Sequence, residues 1–476
     1  MRLHTLLLVL LFCVAGFFAT YHLTESPPVW MDEGIFTQAA INLAHTGQEG
    51  LRVAPSSIEP SSKLITVGYP LIYPLAGWLA IFGVNVLYAR SLMVVFIIGF
   101  LIASYFFVRR LFGPWHALGA LALLTTLPTL YGNGKTVLGE VPGLLYLVAS
   151  LVCVHIAHTH MTRRYVWFVL AGLFAGLCVA TKPIFILFIP ATLIGLGIAW
   201  KRCEMALGEV GAVIGAVLMP ILVWLIIQFR TSDSAGSLMS FYVNHSQVAD
   251  WSNTILANLR NLVTGIGPLY LLVVICLWFV AYGIRLRRRE RIPVEEYTIF
   301  AFSIFILLGY LTTAGWYRYL FEAQALLLLF LPNALLVVTQ TIIPFFSPKK
   351  FVVVAVVVLT LAGAYQVMFS SFVAESYHRN KTAFLESYFN NASSTTSFFI
   401  YNVPEIGIFI RGANYYQYFN PAAGWYVGNE QLSVIAEGKV DQIIIGTDTY
   451  TNMNRDSFFL YKVATTTHDY DILEKI

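Results

Sequence analysis

Long apolar runs recur along this sequence from its N-terminus to about residue 371. Each run is about long enough to cross the roughly 30 Å hydrocarbon core of a bilayer. The eleven runs are Leu6–Ala19, Ser91–Val108, Trp115–Tyr131, Val141–His158, Tyr165–Ala180, Ile184–Trp200, Leu207–Phe229, Gly265–Ile284, Tyr297–Leu311, Tyr319–Val338 and Phe351–Ser371. We therefore predict a polytopic all-α membrane domain, with about 11 transmembrane helices, over residues 1–371.

The composition excludes several other classes of protein. Apolar residues make up 58% of the chain and charged residues 11%, whereas a soluble surface is roughly 25–35% charged. The sequence has no basic block with interleaved aromatic residues that would bind nucleic acid. Its five cysteines include no C-x-x-C pair, so neither a disulfide framework nor a zinc site is indicated.

Basic residues accumulate in alternate loops between the apolar runs. With the N-terminus inside, the inner loops hold fourteen Lys and Arg residues, and the longer outer loops hold eight. This bias is the usual mark of cytoplasmic loops. It predicts a cytoplasmic N-terminus, an uncleaved first span, and an extracytoplasmic location for the loop Tyr21–Arg90, the loop Arg230–Thr264 and the C-terminal tail.

The loop at 21–90 is too long to be a simple connection. Apolar residues from Ile35 to Leu43 recur at helical spacing, and Leu71–Phe82 is a short apolar stretch. Both are expected to form helices that lie in the membrane interface.

Residues 372–476 carry more acidic than basic residues and alternate strand-like with helix-like patterns. Ser397–Tyr401 and Asp441–Gly446 have the composition of strands, while Pro404–Arg411 and Glu430–Val440 are helix-like. This alternation predicts a small extracytoplasmic α/β domain.

Asp32 and Glu33 are the strongest local signal for chemistry. They are adjacent carboxylates at the start of the first predicted interfacial helix, after Pro27, Pro28 and a tryptophan. One interpretation is structural, with Asp32 capping the helix and Glu33 favoured by its positive end. The other is catalytic, because a carboxylate beside an apolar surface can take a proton from an acceptor hydroxyl.

Three more charged residues are predicted at outer ends of spans. Glu140 is either a first-turn carboxylate or a site residue, and Lys182 and Arg318 are either snorkelling cations or phosphate ligands. Two isolated cations on the face that bears the acids would suit a phosphate held at the membrane surface.

Taken in order, these segments resemble the GT-C superfamily of integral-membrane glycosyltransferases, and most closely its protein O-mannosyltransferase and aminoarabinose-transferase branch. The matching elements are Asp32-Glu33 before a helix, Gly68–Leu75 leading to Phe82-Gly83 and Ala89-Arg90, Gly139-Glu140, Gly172–Gly176 leading to Thr181-Lys182-Pro183, and Tyr317-Arg318-Tyr319. They cover about residues 29–332.

The resemblance implies transfer of a sugar, with inversion, from a polyprenyl-phosphate donor to a hydroxyl of a protein, lipid or glycan acceptor on the extracytoplasmic face. Asp32 would be the general base, and Glu33 would place the acceptor or shape the cavity. Lys182, Arg318 and Arg90 would hold the donor phosphate. The remaining expected cavity residues are Glu140, Tyr69, Tyr73 and Tyr319. The resemblance implies no required cofactor and leaves a divalent metal open.

Two other classes fit a polytopic chain with ionisable groups. A transporter or flippase is one, although no paired halves are visible in the sequence. The other is a non-catalytic assembly subunit whose tail binds a partner, and in such a subunit Asp32 would be replaceable.

Overall fold

The computed structural model describes residues 2–60, 64–159, 163–228, 251–342, 357, 360–366, 368, 380–412, 414–422, 425–453 and 458–476. Its membrane part is helical. In chain order the described helices are α1 (Arg2–Thr20), α2 (Met31–Thr46), α3 (Tyr69–Phe82), α4 (Val86–Phe112), α5 (Pro114–Thr125), α6 (Pro128–Lys135), α7 (Glu140–Thr159), α8 (Arg164–Thr181), α9 (Phe188–Lys201), α10 (Leu207–Gln228), α11 (Trp251–Thr264), α12 (Ile266–Arg287), α13 (Val294–Tyr310), α14 (Phe321–Leu328) and α15 (Leu331–Ile342).

Seven of the helices in these ranges are long and apolar enough to cross a membrane, and an eighth span is formed if the bent pair Tyr317–Leu328 and Leu331–Thr341 counts as one. The all-α membrane fold is therefore confirmed, but the predicted count of eleven transmembrane helices is not. The predicted span Trp115–Tyr131 is divided between α5 and α6, with Pro128 beginning the second helix. Most of the predicted span Phe351–Ser371 lies outside the described residues.

Ion pairs identify one end of the helical bundle. Arg164 contacts Glu209 at 2.9 Å, Arg291 contacts Glu204 at 3.0 Å, and Arg202 donates to the Ile292 carbonyl at 2.8 Å. The three predicted inner loops that bear these residues therefore meet at one end. Helix α8 begins at that end and reaches the other after 18 residues, or about 27 Å at 1.5 Å per residue.

Helix α2 is a helix as predicted, but it does not lie exposed in the membrane interface. Its residues from Glu33 to Ala40 are all buried. The tail covers it: a Cβ on Gly34 would approach the Glu405 Cα to 2.3 Å, so the turn at Pro404–Ile408 packs directly on the helix backbone. The expected interfacial position of this segment is thus corrected, because the tail provides an additional covering layer.

The tail begins in the described residues with α16 (Lys381–Asn391) and contains a six-stranded mixed sheet. Its strands are β3 (Phe398–Tyr401), β4 (Tyr415–Ala422), β5 (Trp425–Val427), β6 (Gln442–Gly446), β7 (Tyr461–Thr466) and β8 (Tyr470–Lys475), and a separate hairpin pairs β1 (Leu51–Ala54) with β2 (Ser57–Glu59). Strand β3 is parallel to β4 and β6, whereas β8 is antiparallel to β6 and β7. The prediction of a small C-terminal domain with a sheet is confirmed.

The two strands predicted in the tail, β3 and β6, are both buried and central. The helix-like segment Glu430–Val440 contains the short helix α17 (Leu432–Ala436) after a 3-10 turn at Asn429–Gln431, and the segment Pro404–Arg411 contains a 3-10 turn at Pro404–Ile408. The strands β4, β5, β7 and β8 were not predicted from the sequence. Strand β7 has mainly half-buried or exposed side chains, which lack the continuous apolar pattern of a central strand.

Candidate active site at one end of the helical bundle

Asp32 lies near the N-terminus of α2 and faces a cation from a distant segment. Its Oδ2 is 3.3 Å from Nη1 of Arg318, and both side chains are about one-fifth exposed. The helix begins one residue earlier, at Met31, and its N-cap position is Trp30 without a side-chain cap. The structural interpretation of Asp32 as a helix cap is therefore wrong, because its carboxylate pairs with Arg318.

Arg318 is held by aromatic rings in addition to Asp32. Its guanidinium lies 4.8 Å from the ring centre of Trp30, 4.7 Å from that of Trp316 and 5.4 Å from that of Tyr319. Such stacking suits a planar, delocalised cation. The rings fix the position of the charge while leaving part of the side chain accessible.

The loop before Arg318 is shaped by a glycine and an asparagine. Gly315 has a φ of +75°, which L side chains rarely adopt, and a Cβ there would meet the Asn258 side chain at 2.3 Å. Asn258 Nδ2 donates to the carbonyls of Tyr310, Leu311 and Thr313. Helix α11 thereby sets the path of the chain toward Arg318.

Lys182 forms an ion pair with Glu140. Glu140 begins α7 with its side chain 3% exposed, so the expected first-turn position is correct. Lys182 is extended, with φ −155° and ψ 140°, because Pro183 disfavours helical geometry in the residue before it. Proline therefore ends α8 at Thr181 and turns the lysine toward Glu140.

Two glycines of the motifs permit close packing around this lysine. Gly68 donates its N–H to the Thr181 carbonyl at 3.0 Å, and a Cβ on Gly68 would lie 2.0 Å from the Ala180 carbonyl oxygen. A Cβ on Gly139 would lie 3.0 Å from the Lys182 Cβ. The segments that precede α3 and α7 are thus packed against the end of α8.

Glu33 points the other way from Asp32 and is paired with Arg90 in the interior. Arg90 Nε is 2.8 Å from Glu33 Oε1, and Nη2 is 2.6 Å from Oε2. Arg90 Nη1 also donates to the carbonyls of Leu23 and Pro27, and Glu33 Oε1 accepts from the Val137 N–H at 3.3 Å. The pair joins α2, α4 and two loops at the base of the site.

The comparisons with known proteins match this architecture. The family model described as dolichyl-phosphate-mannose-protein mannosyltransferase matches residues 70–224. The crystal structure of ArnT from Cupriavidus metallidurans bound to undecaprenyl phosphate is similar with a TM-score of 0.63 and 12% identity, over 99% of this chain and 98% of that chain. The chain has the GT-C fold.

Two structures from Archaeoglobus fulgidus share the GT-C fold over about two thirds of their length. The oligosaccharyltransferase complex with Zn and sulfate has a TM-score of 0.60 and 14% identity, over 92% of this chain and 68% of that chain. AglB in complex with an inhibitory peptide and a dolichol-phosphate has a TM-score of 0.55 and 12% identity, over 93% and 69%. No curated protein matches by sequence alone. These similarities confirm the GT-C fold that the sequence resemblance implied.

Within this GT-C fold, Arg90 does not occupy the place that the resemblance implied, whereas the role of its partner Glu33 in shaping the cavity stays a prediction. The Arg90 side chain is fully buried, and four of its five N–H groups donate to Glu33, Leu23 and Pro27. A guanidinium used in this way is not available to a lipid phosphate. Arg90 is therefore removed from the expected phosphate ligands, and Glu33 has a supporting position behind the site.

The tyrosines differ in their relation to the charged groups. Tyr319 lies beside Arg318 and stacks on Trp316 with ring centres 5.9 Å apart, so it borders the site. Tyr69 and Tyr73 contact each other on α3, with ring centres 6.0 Å apart, and Tyr73 is exposed. Their proposed cavity-lining role rests on the packing of Gly68 against α8 and remains a prediction.

One acid of the site was not predicted from the sequence. Glu322 lies on α14, one helical turn after Arg318, with 1% of its surface exposed. It interacts electrostatically with Glu140, Lys182 and Arg318. The signal was available in the sequence, because residues four apart on a helix share a face, but an isolated acid inside an apolar run gave no reason to choose that face.

Proposed function

We propose that this chain is a glycosyltransferase that transfers a hexosyl or pentosyl group, with inversion, from a polyprenyl-phosphate donor to the hydroxyl of a protein, lipid or glycan acceptor. The observation that carries the proposal is the convergence of Asp32, Glu140, Lys182 and Arg318. They come from four separate segments and meet at one end of a GT-C membrane fold. The comparisons favour this function and give no support to a transporter.

Asp32 is proposed as the general base. The acceptor oxygen forms a bond to the anomeric carbon of the sugar while the bond between that carbon and the phosphate oxygen breaks. The acceptor proton passes to the Asp32 carboxylate, and the bonding electron pair leaves with the polyprenyl phosphate. A partly exposed carboxylate at the edge of the bundle is accessible to such a hydroxyl, and general-base catalysis contributes roughly 10²–10⁴-fold.

Lys182 and Arg318 are proposed to hold the donor phosphate. Negative charge on the phosphate grows as the glycosidic bond breaks, so cations fixed near it stabilise the transition state more than the ground state. Both side chains are partly exposed. Arg318 is additionally stacked on aromatic rings, which keep its charge in place.

In this structure each of the two cations is paired with an acid of the site. A phosphate that binds Arg318 would compete with Asp32 for the guanidinium. Such an exchange of partners would release the Asp32 carboxylate when the donor arrives, so that the base becomes available only in the donor complex. The proposal therefore includes an order of binding in which the donor precedes the acceptor.

The function is tested with labelled polyprenyl-phosphate sugars and membranes that supply acceptors, using the full chain in lipid nanodiscs. We expect one donor class to give label transfer and others to give none. We also propose that no divalent metal is needed, because Lys182 and Arg318 can balance the phosphate charge, so transfer should persist in EDTA. Absence of transfer from every donor would contradict the function, and loss in EDTA restored by one metal would contradict only the metal proposal.

The site and the tail are proposed to face the extracytoplasmic side. The tail contacts the site end of the bundle through α2, while the arginine-rich loops lie at the opposite end. A tag fused after Ile476 should be accessible to an impermeant reagent in intact cells, and a cysteine introduced at Arg288 should react only after permeabilisation. The reverse pattern would place the N-terminus and the basic loops outside.

A further inference from the structure

Glu322 is a buried acid whose charge is not matched by a direct partner. Its Oε2 has no hydrogen-bond partner among the residues that the structure describes, and the same holds for Oε2 of Glu140. The contact of Lys182 is with Glu140, and the contact of Arg318 is with Asp32. A buried carboxylate without a paired cation is costly, and proteins usually avoid the cost by neutralising the group.

The net charge of the site also indicates that one of its acids is neutral. Asp32 contacts Arg318 and Glu140 contacts Lys182, and the third acid, Glu322, interacts electrostatically with both cations. If all three acids were ionised, the site would carry an excess negative charge before any phosphate entered. An anionic donor would then meet a net repulsion that the two cations could not offset.

The other groups near Glu322 do not supply the missing charge. Cys178 of α8 interacts with it but is a neutral thiol. Lys135 of α6, which also packs against α14, donates to the Tyr21 carbonyl at 2.7 Å. The tyrosines of the remaining neighbouring helices are neutral phenols. They are Tyr270 and Tyr282 of α12, Tyr297 and Tyr310 of α13, and Tyr317 and Tyr319 of the turn before α14.

We propose that Glu322 is a positioning residue of the donor site that remains a neutral carboxylic acid when the lipid phosphate is bound. Because the protonated Glu322 is neutral, no third negative charge competes with the phosphate for Lys182 and Arg318. The proton also makes a hydrogen-bond donor of the Glu322 oxygen that has no partner. Glu322 thus acts through the two phosphate-binding cations. This inference rests on the proposed function.

The test measures binding of undecaprenyl phosphate to the full chain in nanodiscs, between about pH 6 and pH 9. Bound lipid is quantified with radiolabelled undecaprenyl phosphate, since the ten tryptophans of the chain give no signal specific to the site. Affinity of the wild type should fall as pH rises, because Glu322 loses its proton and repels the phosphate. The loss of one proton can lower the affinity by at most about tenfold per pH unit.

Glu322→Gln mimics the neutral acid. We expect its affinity for undecaprenyl phosphate to match that of the wild type at low pH. At high pH its affinity should exceed that of the wild type by at least about tenfold. Glu322→Leu, which cannot donate a hydrogen bond, should bind more weakly than Glu322→Gln at every pH. The ionisation of the phosphate itself affects all variants equally, so the difference between profiles isolates Glu322.

Glu290→Gln is the control. Glu290 is a largely exposed acid that contacts Arg285 at 3.5 Å away from the site, and its variant should keep the pH profile of the wild type. Superimposable profiles for the wild type, Glu322→Gln and Glu322→Leu would overturn the inference alone, as would a large loss of affinity in Glu322→Gln at low pH. A wild type that binds no undecaprenyl phosphate at any pH would overturn the proposed donor class and this inference with it.

Discussion

Asp32→Asn should lower sugar transfer by about 10²–10⁴-fold while leaving the fold intact. The amide has nearly the shape of the carboxylate and can still accept a hydrogen bond from Arg318, but it cannot take the acceptor proton. Single-turnover transfer from a labelled donor gives the chemical step directly. Because Arg318 loses its competing anion, we expect the variant to bind undecaprenyl phosphate at least as tightly as the wild type.

Glu59→Gln is the matched control for this experiment. Glu59 is an acid of the same loop, on the β1–β2 hairpin, and its carboxylate accepts from the Gly428 N–H at 3.2 Å. Transfer in this variant should remain within about twofold of the wild type. If Asp32→Asn retained full transfer, Asp32 would have no role as a base, and the assembly-subunit interpretation would gain support.

The local geometry around Lys182 and Glu140 follows from residues beside them in the sequence. Pro183 and Gly139 both constrain the backbone, and the structure explains them by the extended Lys182 and by close packing against its side chain. Constraints of this kind are local, so a single sequence reveals them. Lys182 and Glu140 were predicted separately, from their charge and their position at outer ends of spans, and the structure shows that they form an ion pair.

The pairing of charges across the chain could not be predicted in the same way. Arg90 and Arg318 look alike in the sequence, since each is an isolated arginine near an outer span end. Their environments differ because of residues 57 and 286 positions away, Glu33 and Asp32 respectively. Only the fold decides which arginine lies under the site and which lies at its surface.

The covering of helix α2 by the tail is a second feature that could not be predicted from the sequence. The apolar residues of α2 are spaced like those of a helix lying on a bilayer, and they are in fact covered by protein. Gln38 on the same helix donates to the Pro404 carbonyl and contacts Tyr415 of the tail. A helical pattern identifies a buried face, but it does not identify whether lipid or another domain covers that face.

The adjacent carboxylates Asp32 and Glu33 should respond differently to the same substitution. Glu33→Gln leaves the fully buried Arg90 without a compensating charge, and Lys135 adds a second cation nearby. Removing one partner of a buried ion pair typically costs about 3–5 kcal/mol. We therefore expect a large drop in thermal stability or in the yield of folded protein, whereas Asp32→Asn should unfold near the wild-type temperature.

A double-mutant cycle separates this supporting role from catalysis. Arg90→Met alone should be as destabilising as Glu33→Gln, because Glu33 and the carbonyls of Leu23 and Pro27 lose their donors. Glu33→Gln combined with Arg90→Met removes both charges and should cost clearly less than the sum of the two single changes. Folded Glu33→Gln protein should still transfer sugar at a measurable rate, because its Asp32 is intact. A fully stable Glu33→Gln variant that has lost transfer would instead place Glu33 among the reacting groups.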